Sequence, residues 1–551
     1  MTDDAGAWLI TNRLFETADR DPDRALIIDP RFGRYTYGDV AGQVERLAWV
    51  LRERGFASGD IVVVQLPNWA PFIIFHLALT VLGVVTTNIP VIFREREVGG
   101  ILALTGAKGL VVPDDFRGFD FPAMARGLAA DCTDLSHLFV VGGDCASDGE
   151  FSIQENDQIA ETTYAELMRE PETSPGTRDD LLAFKPSVED ITALGFTSGT
   201  TGGLKGAIHD SRVLAAINTG FIDRYDLKEN DRIFGGSPFG HAVGFTHAVR
   251  MTLSIGASVV LLEYWDPRRA LELIHGERCT FIAAATPFLM DLVYHPDLVK
   301  FENLPSLRIF LCGGASVPEK LMRDAAEKLP DTFISPQWGM TECGGVTTCP
   351  PDAPEEKLFE TDGLPCDGME LKVVDANGAT VPPMIEGELM VRGPMVAKGY
   401  YRQPELTKEL FLADGFFCTG DQARMDADNY IKITGRIKDL IIRGGVNISP
   451  VEIESALFAH PKVSNAAVVG MPDTRLGERI CAFIIPVGGA SLDVAEVQKW
   501  MAQSGLAKQK WPERIETVDA FPMTSSGKVQ KFNLRELLTE KAKDEGGKNL
   551  T

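Results

Sequence analysis

Apolar residues recur at helical spacing over residues 40–54, and Gly55 ends that run. Four consecutive apolar residues, 61–64, predict a buried strand. The longest apolar run, 69–85, predicts a helix. It holds Pro71, His76, Thr80 and Gly83 and is shorter than a membrane span. Residues 109–112 predict the next strand. This βαβ rhythm calls for parallel strands covered by helices. Residues 143–180, rich in Asp, Glu, Gly, Ser and Thr, read as a long surface excursion. The alternation resumes near Val188, with further buried strands expected at 259–262 and 309–311. After residue 363, polar and apolar positions alternate over 369–374 and 388–391, as in a small antiparallel sheet. The C-terminal part mixes types again: 450–459 predicts a helix and 466–470 a strand. No internal repeat or low-complexity tract is present.

Length and charge narrow the picture. A chain of 551 residues exceeds one simple core, so two or more domains are expected. Asp and Glu number 78 against 54 Lys and Arg, a net charge of -24. That argues against nucleic acid and against anionic membranes as partners. The nine cysteines include no C-x-x-C pair, which speaks for reduced thiols and a cytoplasmic protein. The acidic N-terminus carries no basic segment followed by an apolar stretch, so no secretory signal is expected.

Four blocks carry candidate chemistry. The first is Phe196-Thr197-Ser198-Gly199-Thr200-Thr201-Gly202-Gly203-Leu204-Lys205-Gly206. Its glycines expose backbone N–H groups, its hydroxyls add donors and Lys205 adds a cation: a device for holding phosphate oxygens. Leu204 and Gly206 around the lysine exclude the P-loop NTPase pattern. The second is Trp338-Gly339-Met340-Thr341-Glu342, an aromatic, a hydroxyl and a carboxylate that together suit a base, a phosphate and a hard cation. The third runs from Thr419-Gly420-Asp421 through Gly435-Arg436-Ile437-Lys438 to Arg443-Gly444-Gly445-Val446. A carboxylate there can accept from a ribose diol. The fourth is Pro522 to Lys528, a lysine on a Gly/Ser turn. Apart from the first, each block alone reads more simply as a buried Trp, a loop Asp or a solvated Lys.

In this order and at these spacings, the blocks resemble the adenylate-forming superfamily of acyl-CoA synthetases, peptide-synthetase adenylation domains and luciferases. The resemblance runs from about Tyr35 to Lys531. It departs from the family pattern at Leu204, where proline is usual, and at Trp338, where tyrosine is usual. The resemblance implies an α/β fold, mixed with a small β subdomain. A large N-terminal adenylation domain with doubly wound sheets would span 1–436, and a small mobile α+β domain 437–551. It implies that Thr197, Ser198, Gly199, Thr200, Thr201, Gly202 and Lys205 hold the ATP phosphates. Gly313, Gly314, Ala315, Trp338 and Ile433 would surround adenine. Thr341 would contact the α-phosphate, Glu342 would hold Mg2+, and Asp421 with Arg436 would meet the ribose. His241, Ala315 and Gly345 would belong to the acid pocket, Gly444 and Gly445 to the coenzyme A tunnel. Lys438 would be the hinge, and Lys528 the cation bridging the acid and the phosphate.

The implied reaction joins a carboxylic acid to coenzyme A through an acyl-AMP, releasing pyrophosphate and AMP. Small apolar residues at expected pocket positions (Ala242, Val243, Ala315, Gly345), with no Lys or Arg beside them, point to an uncharged acid. A short- to medium-chain or alicyclic monocarboxylic acid of the cyclohexanecarboxylate type is the leading expectation, an aryl acid such as benzoate the runner-up. An enzyme loading a carrier protein, a luciferase-like oxidoreductase and an ATP-binding scaffold are the other readings. The oligomeric state stays open.

Overall fold

The computed structural model describes residues 9–142, 159–169, 176–184, 186–198, 204–524 and 527–544. Two large sheets build the N-terminal part. Among the described residues one has nine strands and the other seven. In the seven-stranded sheet, Ile61–Val64 pairs in parallel with Val85–Asn88 on one side and Gly109–Pro113 on the other. At one edge stands the antiparallel hairpin Ile191–Ser198 and Leu204–Asp210. The nine-stranded sheet has a parallel interior and antiparallel edges.

The helix Ala70–Val81 is buried at every position. A helix apolar all round belongs between layers rather than on a surface, and this one shares a single core with residues of both large sheets. The apolar run predicted a helix through residue 85, but the helix stops at Val81. Gly83 takes a left-handed φ of 71° beneath Ser58, and Val85–Asn88 leaves as a strand. A continuous apolar run cannot separate a buried helix from a buried strand. The polar stretch expected as a surface excursion also needs correcting where it is described. Ala160–Thr163 pairs in parallel with His137–Val141, and the following helix Tyr164–Arg169 buries Tyr164 and Leu167. An edge strand tolerates this polar composition because only one side is paired.

Four antiparallel strands follow, Glu370–Val374, Gly387–Arg392, Phe417–Met425 and Ile431–Arg436. After the short turn Ile437–Asp439, the next strand, Ile441–Arg443, belongs to a separate five-stranded sheet. That sheet has its own core on both faces. Val468, Ile480, Ala482 and Ile484 pack with Leu457, Val497 and Met501 on one side. Ala467, Val469, Cys481 and Phe483 pack with Leu534 and Leu538 on the other. The change of face at each residue is the period of a strand. The eight described cysteines are all free thiols, and Cys145 lies outside the described residues. No described helix is long and apolar enough to cross a membrane.

Candidate active site

Strand pairing sets Lys205 opposite Thr197 in the 191–210 hairpin, so the segment expected to cradle phosphate is the turn of that hairpin. Gly199, Thr200, Thr201 and Gly202 of this turn lie outside the described residues, as does the side chain of Ser198. Lys205 Nζ sits 5.5 Å from the centre of the Tyr400 ring. The Tyr400 hydroxyl donates to Glu342 Oε1 at 2.8 Å. Burial and this carboxylate push the phenol well above its ordinary value. Glu342 is itself buried, in the reversal between Phe333–Met340 and Gly344–Thr348. Beside it, the Thr341 carbonyl accepts from His209 Nε2 at 2.9 Å. Burial holds His209 neutral, with its pKa pushed down to about 4.

A second cluster faces the first. Trp338 Nε1 donates to Asp421 Oδ2 at 2.9 Å, and Arg436, opposite Asp421 in strand register, brings Nε to 3.0 Å from Oδ1. The ion pair is poorly aligned, and Oδ1 stays buried without a directed hydrogen bond. Such an acceptor suits a ligand hydroxyl. Gly313 ends the strand Ile309–Gly313, Gly314 follows with a left-handed φ of 82°, and Ala315 is exposed on the loop beyond. The Ile433 N–H donates to Asp362 Oδ2 at 2.8 Å.

The C-terminal domain delivers Lys528 to this place. The turn is closed by Thr524 N donating to the Lys528 carbonyl at 2.8 Å and by Lys528 N donating to Thr524 Oγ1 at 3.0 Å. Gly527, at φ 76°, lies against Pro287 and Ala285 of the large domain so closely that a Cβ would stand 3.3 Å from Pro287 Cγ. The Lys528 side chain runs over Gly314, with Cε 3.6 Å from where a Cβ would be. Burial first and Arg436 second push its pKa down to about 8, against the pull of Asp421 and Glu342. Burial and the nearby Lys528 push His241 down to about 3. Lys438 is lowered to about 8 by burial and Arg436, and Lys205 adds to this. Lys438 thus lies within electrostatic reach of Arg436, Asp421 and Lys205, and Lys528 within reach of Arg436, Asp421 and Glu342.

Next to this cluster opens a narrow pocket. Phe196, Leu214, Ile217, Phe239, Ala242 and Phe245 give it apolar walls, and Asn88, His209, His241, Thr246 and Thr341 supply polar atoms. An apolar cavity with a few convergent polar groups is the usual form of a small-molecule site.

Two family models match the chain. The model described as AMP-binding enzyme matches residues 14–401, and the one described as AMP-binding enzyme C-terminal domain matches 452–528. The chain belongs to the family of AMP-binding enzymes. Over 523 residues it is 35% identical to the medium-chain fatty-acid–CoA ligase of Escherichia coli K12, covering 94% of this chain and 88% of that protein. Over 506 residues it is 31% identical to the 3-[(3aS,4S,7aS)-7a-methyl-1,5-dioxo-octahydro-1H-inden-4-yl]propanoyl:CoA ligase of Rhodococcus jostii RHA1, covering 91% and 94%. The crystal structure of ATP-bound MatB from Rhodopseudomonas palustris superposes with a TM-score of 0.81 at 29% identity, covering 96% of this chain and 98% of that one. Within the family, this AMP-binding enzyme is an AMP-forming acyl-CoA synthetase.

Of the residues predicted for the acid pocket, the structure brings His241 and Ala242 to the pocket wall of this AMP-binding enzyme, and not Val243, Ala315 or Gly345. Gly345 faces Gln337 and Phe221, and the neighbouring Gly344 lines the cavity instead. Gly444 and Gly445 form the exposed turn between Ile441–Arg443 and Val446–Ile448, where the Gly444 N–H donates to the Leu476 carbonyl. The sequence reading missed Tyr400, because its link to Glu342 spans 58 positions. It missed His209 too, whose neutral form shows only once the strand pairing buries it. No Lys or Arg is expected beside Ala242, Val243, Ala315 and Gly345, and Arg250 is not among the residues that line the cavity. Residues 244–250 form a wide-turn π-helix, and Arg250 stands one turn beyond the pocket residue Thr246.

Proposed function

We propose that this enzyme activates a short- to medium-chain or alicyclic carboxylic acid with ATP and passes the acyl group to coenzyme A. The observation that carries the reading is Lys528, which the C-terminal domain lays over Gly314 within electrostatic reach of Asp421, Glu342 and the pocket residue His241. The acid's tail would fill the pocket, with its carboxylate near His241 and Thr341. Asp421, whose Oδ1 accepts no directed hydrogen bond, would accept from the ribose hydroxyls while Trp338 and Ile433 border the base. The 197–205 hairpin would hold the outer phosphates.

Two anions must then meet. A carboxylate oxygen attacks the α-phosphorus, the bond to the bridging oxygen breaks and pyrophosphate leaves. Lys205 and Lys528 offset the charge that builds up between them. No described cluster of three or more His, Cys, Asp or Glu could hold a metal alone. One buried carboxylate, Glu342, fits Mg2+, which is usually held by one or two carboxylates with substrate phosphates and water. Bound there, the ion would neutralise phosphate charge. In the second step the coenzyme A sulfur attacks the acyl carbon, the bond to phosphate breaks and AMP departs. We assign the pivot between the steps to Lys438, in the single turn joining the two domains, and the pantetheine path to the Gly444–Gly445 turn. Reduced thiols suit a cytoplasmic enzyme.

The test is acid-dependent pyrophosphate exchange over a panel of linear, alicyclic and aryl acids, followed by AMP release on adding coenzyme A. Exchange with hydrocarbon acids and AMP release only with the thiol support the reading. A preference for benzoate-type acids would favour the aryl alternative. AMP release that needs a carrier protein would remove coenzyme A as the acceptor.

A further inference from the structure

We propose that Arg250 is a specificity-determining residue that reads an oxygen acceptor, a carboxylate or a ketone, at the far end of the substrate acid. This rests on the acid-activating reading above. Arg250 is 1% exposed, and no carboxylate pairs with it among the described residues. Its one described hydrogen bond runs from Nη1 to Nε2 of His76 at 3.2 Å, and its Nε is buried with no acceptor. His76 cannot supply the missing negative charge. The Thr86 hydroxyl donates to the Thr192 carbonyl, so Thr86 Oγ1 accepts from His76 Nδ1 at 3.1 Å, and Nε2 keeps a lone pair for the arginine. Burial and Arg250 hold that imidazole neutral. The guanidinium is lowered only to about 9, so it stays charged at neutral pH. A buried charge with no counter-charge is strongly unfavourable, and proteins normally pair it.

Three observations set this cation behind the lining of the acid pocket, against its wall residue Phe245. Ala242 and Thr246 both line the cavity, and Arg250 continues their four-residue spacing along the wide-turn helix. Its guanidinium carbon lies 5.9 Å from the centre of the Phe245 ring, a pocket wall that the His76 ring meets edge-on. Asn88, Ala193 and Gly195 line the pocket on one face of their strands. Thr86, two residues before Asn88 and paired with Ala193, carries that face down to His76 and Arg250. On this proposal the reacting carboxylate would sit at the mouth of the pocket and hydrocarbon along its walls, with the unused N–H donor of Arg250 behind the far end.

The experiment uses the full-length enzyme and three acids matched in length, octanoate, octanedioate and 7-oxooctanoate, with acid-dependent pyrophosphate release as the readout. The wild-type enzyme is expected to prefer an oxygen-ended acid to octanoate in kcat/KM. In Arg250→Met that ratio should fall on the order of 10²-fold, as when a buried polar partner is removed. Arg250→Lys, which keeps the charge but loses the planar fork, should give an intermediate ratio. The better of the two oxygen-ended acids tells an anionic from a neutral far end, and either supports the proposal. Wild-type preference for octanoate, or a ratio that Arg250→Met leaves unchanged, would overturn it. Thermal melting of both variants separates a purely structural arginine, whose loss would lower Tm without moving the ratio. If no acid releases pyrophosphate, the ligase reading fails by itself. Octanedioate or 7-oxooctanoate should then still raise the Tm of the wild-type protein and not that of Arg250→Met, and no such difference would overturn the role of Arg250.

Discussion

The apolar pocket and Lys528, the lysine proposed to act beside it, are built in opposite ways. The pocket is cut into the shared core of the large domain, with walls such as Phe239, Ile217 and Leu214 almost fully buried. Lys528 stands on a turn of a small domain whose sheet packs against its own helices on both faces. That domain meets the large one through a few local contacts. Gly527 rests on Pro287, Phe458 joins a cluster of large-domain residues, and Ser449 donates to the Thr434 carbonyl. One short turn, Ile437–Asp439, connects them. A surface that recognises hydrocarbon gains from being fixed, because close packing is what discriminates shape. A cation needed for one of two steps gains from riding on a body that can leave.

The largest expected effect comes from removing the delivered cation. Lys528→Ala should slow acyl-AMP formation on the order of 10²–10³-fold, the usual cost of losing one preorganised charge at a transition state. Thioester formation from supplied acyl-AMP should be far less affected. Half-reactions measured separately and found equally impaired would mean that both regions act in both steps.

Next comes the connection. Proline fixes φ near roughly -65° and removes a donor, so Lys438→Pro should hold the small domain in one orientation. Acyl transfer to coenzyme A should fall by about 10²-fold, the scale of a small misplacement of reacting groups, while pyrophosphate exchange stays near normal. Lys438 also sits within electrostatic reach of Arg436 and Lys205. Lys438→Ala therefore serves as the control for its charge. Normal acyl transfer in the proline variant would place the pivot elsewhere.

Glu342→Gln should be milder. The amide keeps the bond from Tyr400 but loses the charge, so the first step should need about 10- to 100-fold more magnesium, the scale of perturbed metal sites. An unchanged magnesium titration would remove Glu342 as a ligand.

The smallest effect is on pH. In the proposed role the protonated amine of Lys528 is the working form, and burial with Arg436 lowers its pKa to about 8. For adenylation, kcat/KM should hold below pH 8 and fall above it with the loss of one proton. Bound ATP adds negative charge, so kcat should hold to higher pH than kcat/KM. A kcat/KM profile flat well past pH 8 would show that Lys528 is not the titrating group.

Much of this was open to reading along the chain. The strands at 61–64 and 109–113, the helix at 450–458 and the alternating sheet after residue 363 follow from local periodicity, which depends only on neighbouring residues. The four motif blocks and their order were equally legible, since each is a short segment, and the family follows from them. Tertiary structure decided what depends on distant residues. It ended the second apolar helix at Val81, because Val85 finds Ile61 as a strand partner. It paired Tyr400 with Glu342, left an oxygen of Asp421 without a directed hydrogen bond, and turned Gly345 out of the pocket that Gly344 lines. It also buried Arg250 with no carboxylate paired to it among the described residues. Periodicity marks which face of an element is buried, but a buried charge gets its meaning from what the other elements bring, or fail to bring, beside it.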